Sequence, residues 1–596
     1  VTASAQTPSI LATPKPILAA ALPLPSLQPV RREPVVAQDE VREQPAAVEF
    51  DGAYQRPKPT PKGDVVDYLF GTKVPDPYRW LEDPRKPETK AWVEDQNRAT
   101  ASFLNGIPAR ERALSLLKEL DKTIYRPLPV KRGDYYVFKQ KVVDKEQKVL
   151  YKFPSKSAGR HGPPSVLLDP NEFSSDGTTA LTGTSFSQDG KYMAYSLSSK
   201  GSDWSTWRIR NVATGVDLPE VLDWTKFTSV VWRKSGTAFY YSRYERPPPG
   251  LEYVAPSGRG KLYLHDLGTP QSSDSPVEAP SYPGWTSEVE IIDKGHYALV
   301  TRTSQHSDRV MIIVYDQTNP QAPAKVIFDG RKEEKFKIVS IDKGVFYAWT
   351  DKNAPRGRFV AVNSDNPYPY PDNWTELIGQ SQSGAVLKQV VRLDNGFAAT
   401  WMADARDELW VYGPKGEPLR EILLPGKGTV DGLRSSGKGK GVLSFSSYTH
   451  PLTDFRVDFA SGRLRPYRKA AFPEVTKDME VKQVFYRSKD GTRVPMSIIH
   501  KKGLILDGNN PTYLYGYGGF NISLTPEFSN TIASWVEMGG VYVVANLRGG
   551  GEYGNEWYDA GRLDNKQNVF DDFYAAAEWL IAHGYTTPKL LAAGGA

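Results

Sequence analysis

In the final part of the chain, apolar runs that end in glycine alternate with one helical pattern. The runs are Tyr513–Phe520, Val541–Gly554 and Lys589–Ala596, and each is rich in aromatic, β-branched or small apolar residues. Between the last two runs, Asn568–His583 repeats its apolar positions every three or four residues, which predicts a helix. This alternation predicts a parallel sheet covered by helices, with chemistry in the turns that follow the strands.

The last run ends at Gly595-Ala596, where a strand is expected to turn into a helix. A Gly-Gly-Ala after a strand is usually an ordinary turn. If a serine followed, however, Gly595-Ala596 would open the Gly-x-Ser-x-Gly elbow that holds the nucleophile of α/β-hydrolases. We therefore expect a C-terminally truncated chain that stops inside a strand-to-helix turn.

Between about Lys122 and Arg465, short aromatic and β-branched runs replace the helical pattern. An apolar pair, a polar turn with glycine and an alternating aromatic strand recur about every 40 to 60 residues, the length of a four-stranded propeller blade. The seven recurrences centre on Gly133, Gly190, Gly236, Gly295, Gly344, Gly396 and Gly437. Asp-Gly, Lys-Gly and Asn-Gly pairs suit two-residue hairpins, in which both turn positions take positive φ. A seven-bladed β-propeller explains this regularity better than a large β-sandwich.

Two amphipathic segments precede the predicted propeller. They are Lys90–Leu104 and Ala109–Leu120, and the second follows a proline, which suits a helix start. Helices before a propeller and an α/β domain after it indicate that the propeller is inserted. We expect the helices to pack on the later domain.

Composition narrows the class of protein. The net charge of +6 comes from 75 basic and 69 acidic residues without a dense basic block, which argues against nucleic-acid and membrane-surface binding. The chain has no cysteine, so this portion carries neither a disulfide framework nor a Cys nucleophile. The first residues, 1–55, are rich in Pro and Ala and predict a disordered leader.

Several long motifs together resemble the prolyl oligopeptidases, the S9 serine peptidases. These are Asp76–Pro84 (DPYRWLEDP), Leu167–Gly177, Arg487–Leu504, Tyr515–Leu524 (YGYGGFNISL), Ala545–Gly554 (ANLRGGGEYG) and Asn565–Phe573. The resemblance covers about Tyr68 to Ala596. It implies that the nucleophilic serine directly follows Ala596 and that the triad Asp and His come later still.

The resemblance assigns roles to two residues of this sequence. Tyr517 matches the tyrosine whose hydroxyl donates to the oxyanion of the tetrahedral intermediate. Phe520 matches an aromatic wall of the pocket that holds the substrate proline. Without the resemblance, Tyr517 would be interpreted as one packed aromatic residue among many.

Other candidate sites have structural explanations. Gly549, Gly551 and Gly554 satisfy G-x-G-x-x-G, but we expect no helix to open there and discard a nucleotide cofactor. Asp571 and Asp572 look like paired carboxylates, yet a place in the first turn of a helix explains them better. No histidine is nominated as the base: His583 ends a helix, and His161, His265, His296, His306, His450 and His500 are scattered. We predict no metal and no cofactor.

The resulting hypothesis has four segments: a leader (1–55), a helical part of the hydrolase domain (56–121), a seven-bladed propeller (122–466) and a truncated α/β-hydrolase domain (467–596). We predict a serine endopeptidase that cleaves short peptides after proline, with the propeller restricting substrate size and with this fragment inactive alone. The alternatives are a sister peptidase like oligopeptidase B, selective for basic residues, and a non-catalytic propeller scaffold. Short proline-containing peptides are the expected partners of a cytoplasmic monomer, with no nucleic acid and no membrane.

Overall fold

The structure is a computed structural model that describes most of the chain. The described residues are 56–122, 127–142, 145–155, 163–249, 260–277, 285–292, 295–304, 309–319, 322–329, 334–363, 374–467 and 473–595. The predicted leader, His161 and His306 lie outside these ranges. None of the helices within them has the length and apolar character needed to cross a lipid bilayer.

The N-terminal part consists of a hairpin and two helices. Strands β1 (Val66–Leu69) and β2 (Thr72–Pro75) pair antiparallel, and helices α1 (Pro87–Asn105) and α2 (Ala109–Asp121) follow. Both helices confirm the predicted pattern, and α1 begins with a proline, whose missing N–H costs nothing at that position.

Seven four-stranded antiparallel sheets follow, each built from strands consecutive in sequence. The first two are β3–β6 (Val130–Arg132, Tyr135–Gln140, Val149–Pro154, Ser165–Leu168) and β7–β10 (Thr179–Phe186, Tyr192–Ser199, Ser205–Asn211, Asp217–Thr225). The next two are β11–β14 (Val231–Trp232, Ala238–Arg243, Lys261–Asp266, Ser275–Pro276) and β15–β18 (Trp285–Ile292, Tyr297–Ser304, Val310–Asp316, Lys325–Phe328). The fifth is β19–β22 (Phe336–Asp342, Val345–Thr350, Arg358–Asn363, Trp374–Ile378). The last two are β23–β26 (Val386–Leu393, Gly396–Ala403, Arg406–Tyr412, Pro418–Ile422) and β27–β30 (Thr429–Gly437, Lys440–Ser447, His450–Asp458, Arg463–Pro466). These sheets are the seven blades of a β-propeller, as predicted.

Each recurring glycine lies at the turn between the first and second strand of one blade. All seven have positive φ, from 54° at Gly133 to 113° at Gly396. Glycine adopts this conformation without the steric penalty that a Cβ would bring, which explains its recurrence. The predicted two-residue turn holds at Lys343-Gly344, where both φ angles are positive. It is wrong at Asp189-Gly190, where the turn is longer, and at Asn395-Gly396. In both pairs only the glycine has positive φ.

The core of the propeller lies between neighbouring blades. Phe359 in β21 and Phe397 in β24 are fully buried and pack edge to face, with ring centroids 4.9 Å apart. Leu387 in β23 completes the same cluster. Alternate residues of each strand therefore join adjacent sheets, which is why the strands repeat aromatic and β-branched residues.

The C-terminal domain is a five-stranded sheet of order β31-β32-β34-β33-β35. Its strands are β31 (Met479–Arg487), β32 (Arg493–Lys501), β33 (Thr512–Gly516), β34 (Val541–Ala545) and β35 (Leu591–Gly594). β31 and β32 form an antiparallel hairpin, β32 pairs antiparallel with β34, and β33 pairs in parallel with β34 and β35. The three predicted strands, β33, β34 and β35, are confirmed as parallel neighbours, and β31 and β32 add an antiparallel hairpin at one edge.

Three helices accompany this sheet: α3 (Asn530–Glu537), α4 (Asn555–Asp559) and α5 (Gln567–Ala582). Ala576 and Leu580 of α5 are fully buried in one cluster with Leu514 and Val543 of the sheet. On the other side, Leu120 of α2 packs in a cluster with Ala533 and Val536 of α3. The expectation that an N-terminal helix packs on the later domain is confirmed for α2.

Helix α4 corrects one prediction. We expected no helix after Gly554, but five residues from Asn555 are helical. The helix is too short to show an apolar stripe, which is the signal on which the expectation relied. Backbone contacts with the propeller define its start, since the Asn555 N–H donates to the Pro355 carbonyl at 2.8 Å.

Candidate active site

The candidate site lies at the carboxyl ends of β33, β34 and β35. These strands are parallel neighbours, so their ends lie at one edge of the sheet, with Gly516 opposite Ala545 and Tyr515 opposite Gly594. Each strand is followed by glycines: Gly518-Gly519, Gly549–Gly551 and Gly595. In open α/β sheets this edge is where functional loops converge.

Tyr517 and Phe520 lie on the loop after β33. Tyr517 directly follows the strand and is partly buried, and within the described ranges its hydroxyl makes no hydrogen bond. Phe520 is 80% exposed, and the centroids of the two rings are 6.4 Å apart. The structure therefore brings the two predicted site residues together, with a phenol that is unpartnered among the described residues beside an apolar ring. Their roles stay predictions.

This loop holds an unfavourable backbone conformation. Phe520 and Asn521 have φ of 52° and 58°, in the left-handed region that non-glycine residues rarely adopt. Such strain persists only where surrounding contacts hold it. Here the Asn521 N–H donates to the Gly549 carbonyl at 3.2 Å, and the Lys566 ammonium donates to the Gly518 carbonyl at 2.9 Å.

The loop after β34 packs directly against this loop. A Cβ on Gly549 would lie 2.5 Å from the Gly518 carbonyl oxygen, and one on Gly551 would lie 2.6 Å from Asn521 Oδ1. Only glycines allow the two backbones to approach so closely. The glycines of the G-x-G-x-x-G pattern therefore allow a close approach to another loop of the same protein.

The end of β35 lies against the start of the Tyr517 loop. A Cβ on Gly595 would lie 2.3 Å from the Gly516 carbonyl oxygen, and one on Gly594 would overlap the Tyr513 hydroxyl. Whatever follows β35 therefore begins beside the residue that precedes Tyr517. This is the arrangement that an elbow after β35 and an oxyanion donor after β33 require.

The paired carboxylates serve structure, and one prediction about them is wrong. Helix α5 begins at Gln567, so Asp571 and Asp572 lie in its second turn and not in its first. Asp572 is 0% exposed and binds Arg548, which is 4% exposed, through the guanidinium and through the backbone N–H at 3.0 Å. Arg548 also contacts Asp490 at 2.5 Å, and this pairing lowers the pKa of Asp490 to about 2.

Sequence reasoning missed a second buried carboxyl group, that of Glu552. This side chain is 1% exposed, and its Oε1 accepts from the Leu524 N–H at 2.8 Å and from Asn546 Nδ2 at 3.1 Å. Burial raises the pKa of Glu552 to about 7. The only hint in the sequence is an acidic residue directly after three glycines.

The described histidines of this domain make local contacts. His583 stacks on Trp579, and its Nδ1 lies 2.8 Å from the Trp579 carbonyl oxygen at the end of α5. His500 Nδ1 lies 2.7 Å from the Lys501 carbonyl oxygen. In the propeller, His265 forms a fully buried pair with Asp274 at 2.7 Å. Across the described ranges, no three His, Asp or Glu residues are grouped to hold a metal ion.

A seven-bladed propeller joined to a sheet of order 1-2-4-3-5, with glycine-rich loops at the carboxyl edge, defines an α/β-hydrolase with a propeller. Two family models match the chain: the prolyl oligopeptidase N-terminal β-propeller domain over residues 57–470, and the prolyl oligopeptidase family over residues 526–596. The chain therefore belongs to the prolyl oligopeptidase family of serine peptidases, which confirms the predicted fold, enzyme class and resemblance.

Similar proteins agree with this assignment. A prolyl endopeptidase of Elizabethkingia meningoseptica is 37% identical over 90% of this chain and 74% of its own length. One of Dictyostelium discoideum is 30% identical over 91% and 78%. A solved structure from a structural and mechanistic analysis of two prolyl endopeptidases has a TM-score of 0.81 at 35% identity, over 90% of this chain and 78% of that chain. Prolyl oligopeptidase B of Galerina marginata, solved with a hydrolysis and macrocyclisation substrate, has a TM-score of 0.79 at 26% identity, over 90% and 78%.

Proposed function

We propose that this polypeptide, together with the nucleophile expected after Ala596, cleaves short peptides on the carboxyl side of proline. The observation that carries the proposal is the place of Tyr517. Its hydroxyl follows β33 and has no hydrogen-bond partner among the described residues, and the end of β35 lies against Gly516. A serine after β35 attacks the carbonyl carbon, a histidine takes and returns the proton, and an aspartate orients the histidine.

Tyr517 acts as an oxyanion donor in this proposal. A phenol anchored at a strand end can donate a hydrogen bond to the oxygen on which negative charge develops. Such preorganised donors stabilise the transition state more than the ground state. The absence of a competing partner within the described ranges supports this role, since the donor does not first have to break a bond to another described residue.

Phe520 contributes an apolar wall for the substrate proline. Its exposed ring lies next to Tyr517, so a proline bound against it would have its carbonyl near the phenol. An aromatic wall suits a pyrrolidine ring, and the ring itself brings no carboxylate that would pair with the charge of a basic side chain. This favours specificity for proline over the basic specificity of the oligopeptidase B alternative.

The propeller restricts substrate size in the same proposal. Its fifth and sixth blades contact the loop after β34: Asp351 accepts from Asn555 Nδ2 at 2.8 Å, and Asp404 accepts from the Tyr553 hydroxyl at 2.8 Å. These contacts hold the propeller over the loops that carry the candidate site. Folded proteins are then excluded by geometry, while short peptides enter.

The test compares two polypeptides on matched fluorogenic peptides that carry either proline or arginine before the scissile bond. One is the 596-residue chain, proposed to be inactive alone; the other is encoded by the gene with the codons that follow Ala596. We expect hydrolysis of the proline substrate by the longer polypeptide only. Hydrolysis of the arginine substrate would favour the oligopeptidase B alternative, and proline-specific hydrolysis by the 596-residue chain would contradict the proposed place of the nucleophile.

A further inference from the structure

We propose that Glu552 is a positioning residue, whose neutral carboxyl group fixes the loop Gly518–Leu524 and thereby the placement of Tyr517 and Phe520. The effect of Glu552 on catalysis rests on the proposed function, whereas its effect on the order of the loop does not. Nothing in the assigned roles of Tyr517 and Phe520 requires an acid at this position.

Glu552, Asn546 and Leu524 form a hydrogen-bonded clamp at the end of the loop. Its Oε1 accepts from the Leu524 N–H, and Asn546 Nδ2 donates both to Glu552 Oε1 and to the Leu524 carbonyl at 2.7 Å. Asn546 is itself buried directly after β34, with its N–H bound to the Pro495 carbonyl. The clamp therefore ties the loop after β33 to the rigid end of β34.

The clamp stabilises a backbone conformation that the loop would not adopt by itself. Between Tyr517 and Leu524, Phe520 and Asn521 have left-handed φ angles that the isolated chain would avoid. At the other end, the Lys566 ammonium holds the Gly518 carbonyl. If the clamp opened, the segment would lose its anchor at Leu524. The Lys566 contact and the Asn521 N–H bond to the Gly549 carbonyl would then hold both rings less firmly.

The chemistry of the clamp favours a neutral carboxyl group. Glu552 Oε2 is buried against Gly550 and has no hydrogen-bond partner among the described residues. Among the described residues, Tyr448 from the propeller and Tyr553 beside it interact electrostatically with the Glu552 carboxyl group, and neither is a cation. Arg493 and Asp404 act on Tyr553 and not on Glu552. A carboxylate there would carry unpaired charge in a buried place, which is costly. The pKa of about 7 agrees with this geometry.

A pH dependence follows with a definite sign. Because burial raises the pKa of Glu552 from its ordinary value of 4.5 to about 7, the folded protein keeps a proton that the unfolded chain releases. The stabilisation by the clamp is complete below about pH 4.5 and is lost as the pH rises through 7. The loop therefore becomes less ordered on the alkaline side.

The first experiment measures hydrogen exchange of the segment 517–528 in the 596-residue chain at pH 6 and pH 8.5, corrected for the intrinsic rate. We expect about tenfold lower protection at pH 8.5 in the wild type, and no such change in E552Q, which keeps an acceptor but cannot ionise. Glu527→Gln, an exposed acid in the same loop, is the matched control and should behave as the wild type. Equal protection at both pH values in the wild type would overturn the proposal.

The second experiment measures kcat/KM against pH in the longer, active polypeptide. We expect a descending limb near pH 7 in the wild type and in E527Q, a level profile above pH 7 in E552Q, and a loss of about tenfold or more in E552A. Identical pH profiles for the wild type and E552Q would overturn the proposed effect of Glu552 on catalysis. If no proline-specific activity is found but the exchange result holds, the proposed function fails while the loop clamp stands.

Discussion

At the scale of single residues, the polar groups of the candidate site differ in the partners that they have. Arg548 and Asp572 are buried as a hydrogen-bonded pair, so each compensates the other's charge. Glu552 is buried without a cation, and its pKa rises accordingly. Tyr517 has neither a cation nor a hydrogen-bond partner within the described ranges, which leaves its donor available.

The role of Tyr517 can be tested with the smallest possible change. Tyr517→Phe removes only the hydroxyl, and we expect kcat of the active polypeptide to fall by about 10² to 10³ with little change in KM, because the donor acts on the transition state. Tyr574→Phe, an exposed tyrosine of α5, is the matched control and should leave kcat unchanged. A change in KM alone would indicate that Tyr517 only binds substrate.

The Arg548 pair predicts a large effect on stability. Arg548→Ala leaves the fully buried Asp572 without its partner, and we expect a loss of about 3–5 kcal/mol in the free energy of unfolding of the α/β domain. Lys489→Ala, which removes an exposed contact at 3.9 Å with Asp571, should cost less than about 1 kcal/mol. Urea unfolding followed by circular dichroism measures both, and equal midpoints would contradict the prediction.

At the scale of elements, the site is built from loops whose backbones touch. The loops after β33, β34 and β35 meet at glycines, and each close contact fixes one loop by means of another. The strands define where the loops begin, but the loops define where Tyr517 and Phe520 lie.

The contact at Gly549 gives a test at this scale. Gly549 has φ 89°, and a Cβ there would strike the Gly518 carbonyl; Gly503 has φ 75° with no atom within 4 Å of its Cβ position. Both Ala substitutions bring similar backbone strain, so the difference between them isolates the clash. We expect Gly549→Ala to cost about 1–3 kcal/mol more in unfolding free energy than Gly503→Ala, and to lower kcat, because it displaces the Tyr517 loop.

At the scale of the whole molecule, the propeller and the hydrolase domain meet at the candidate site itself. Asp351, Pro355 and Asp404 of the propeller contact Tyr553 and Asn555, which lie within three residues of Glu552. Movement between the two domains would therefore displace the loop after β34. The division into segments at 121 and 466 stays a prediction, although the last blade ends at Pro466.

The Tyr553 contact tests the proposed size restriction. Tyr553→Phe removes a hydrogen bond to a carboxylate and leaves the ring, which should weaken the contact between domains by about 1.5–3 kcal/mol. We expect kcat/KM to rise for peptides of several tens of residues relative to short ones. Tyr195→Phe removes a comparable bond to Asp217, 2.8 Å long, within one blade and should leave this ratio unchanged. An unchanged ratio in Tyr553→Phe would contradict the role of this contact.

The sequence by itself determined the elements and the order in which they are combined. The seven glycines identified the inner hairpin of every blade because a positive φ is a local requirement. The apolar runs identified β33, β34, β35 and α5 because strand and helix periods are local too. Motif resemblance then identified the family and nominated Tyr517 and Phe520.

Only the tertiary structure decided which partners the charged residues have. Asp572 looked like a helix-start acid until the fold placed Arg548, 24 residues earlier, against it. Glu552 gave little signal because Leu524, its partner, lies 28 residues away on another loop. Helix α4 escaped prediction because its start depends on Pro355 of the propeller. Contacts between distant segments produce no periodic pattern in the sequence. The burial of the charged residues at the site and the identity of their partners therefore follow only from the folded chain.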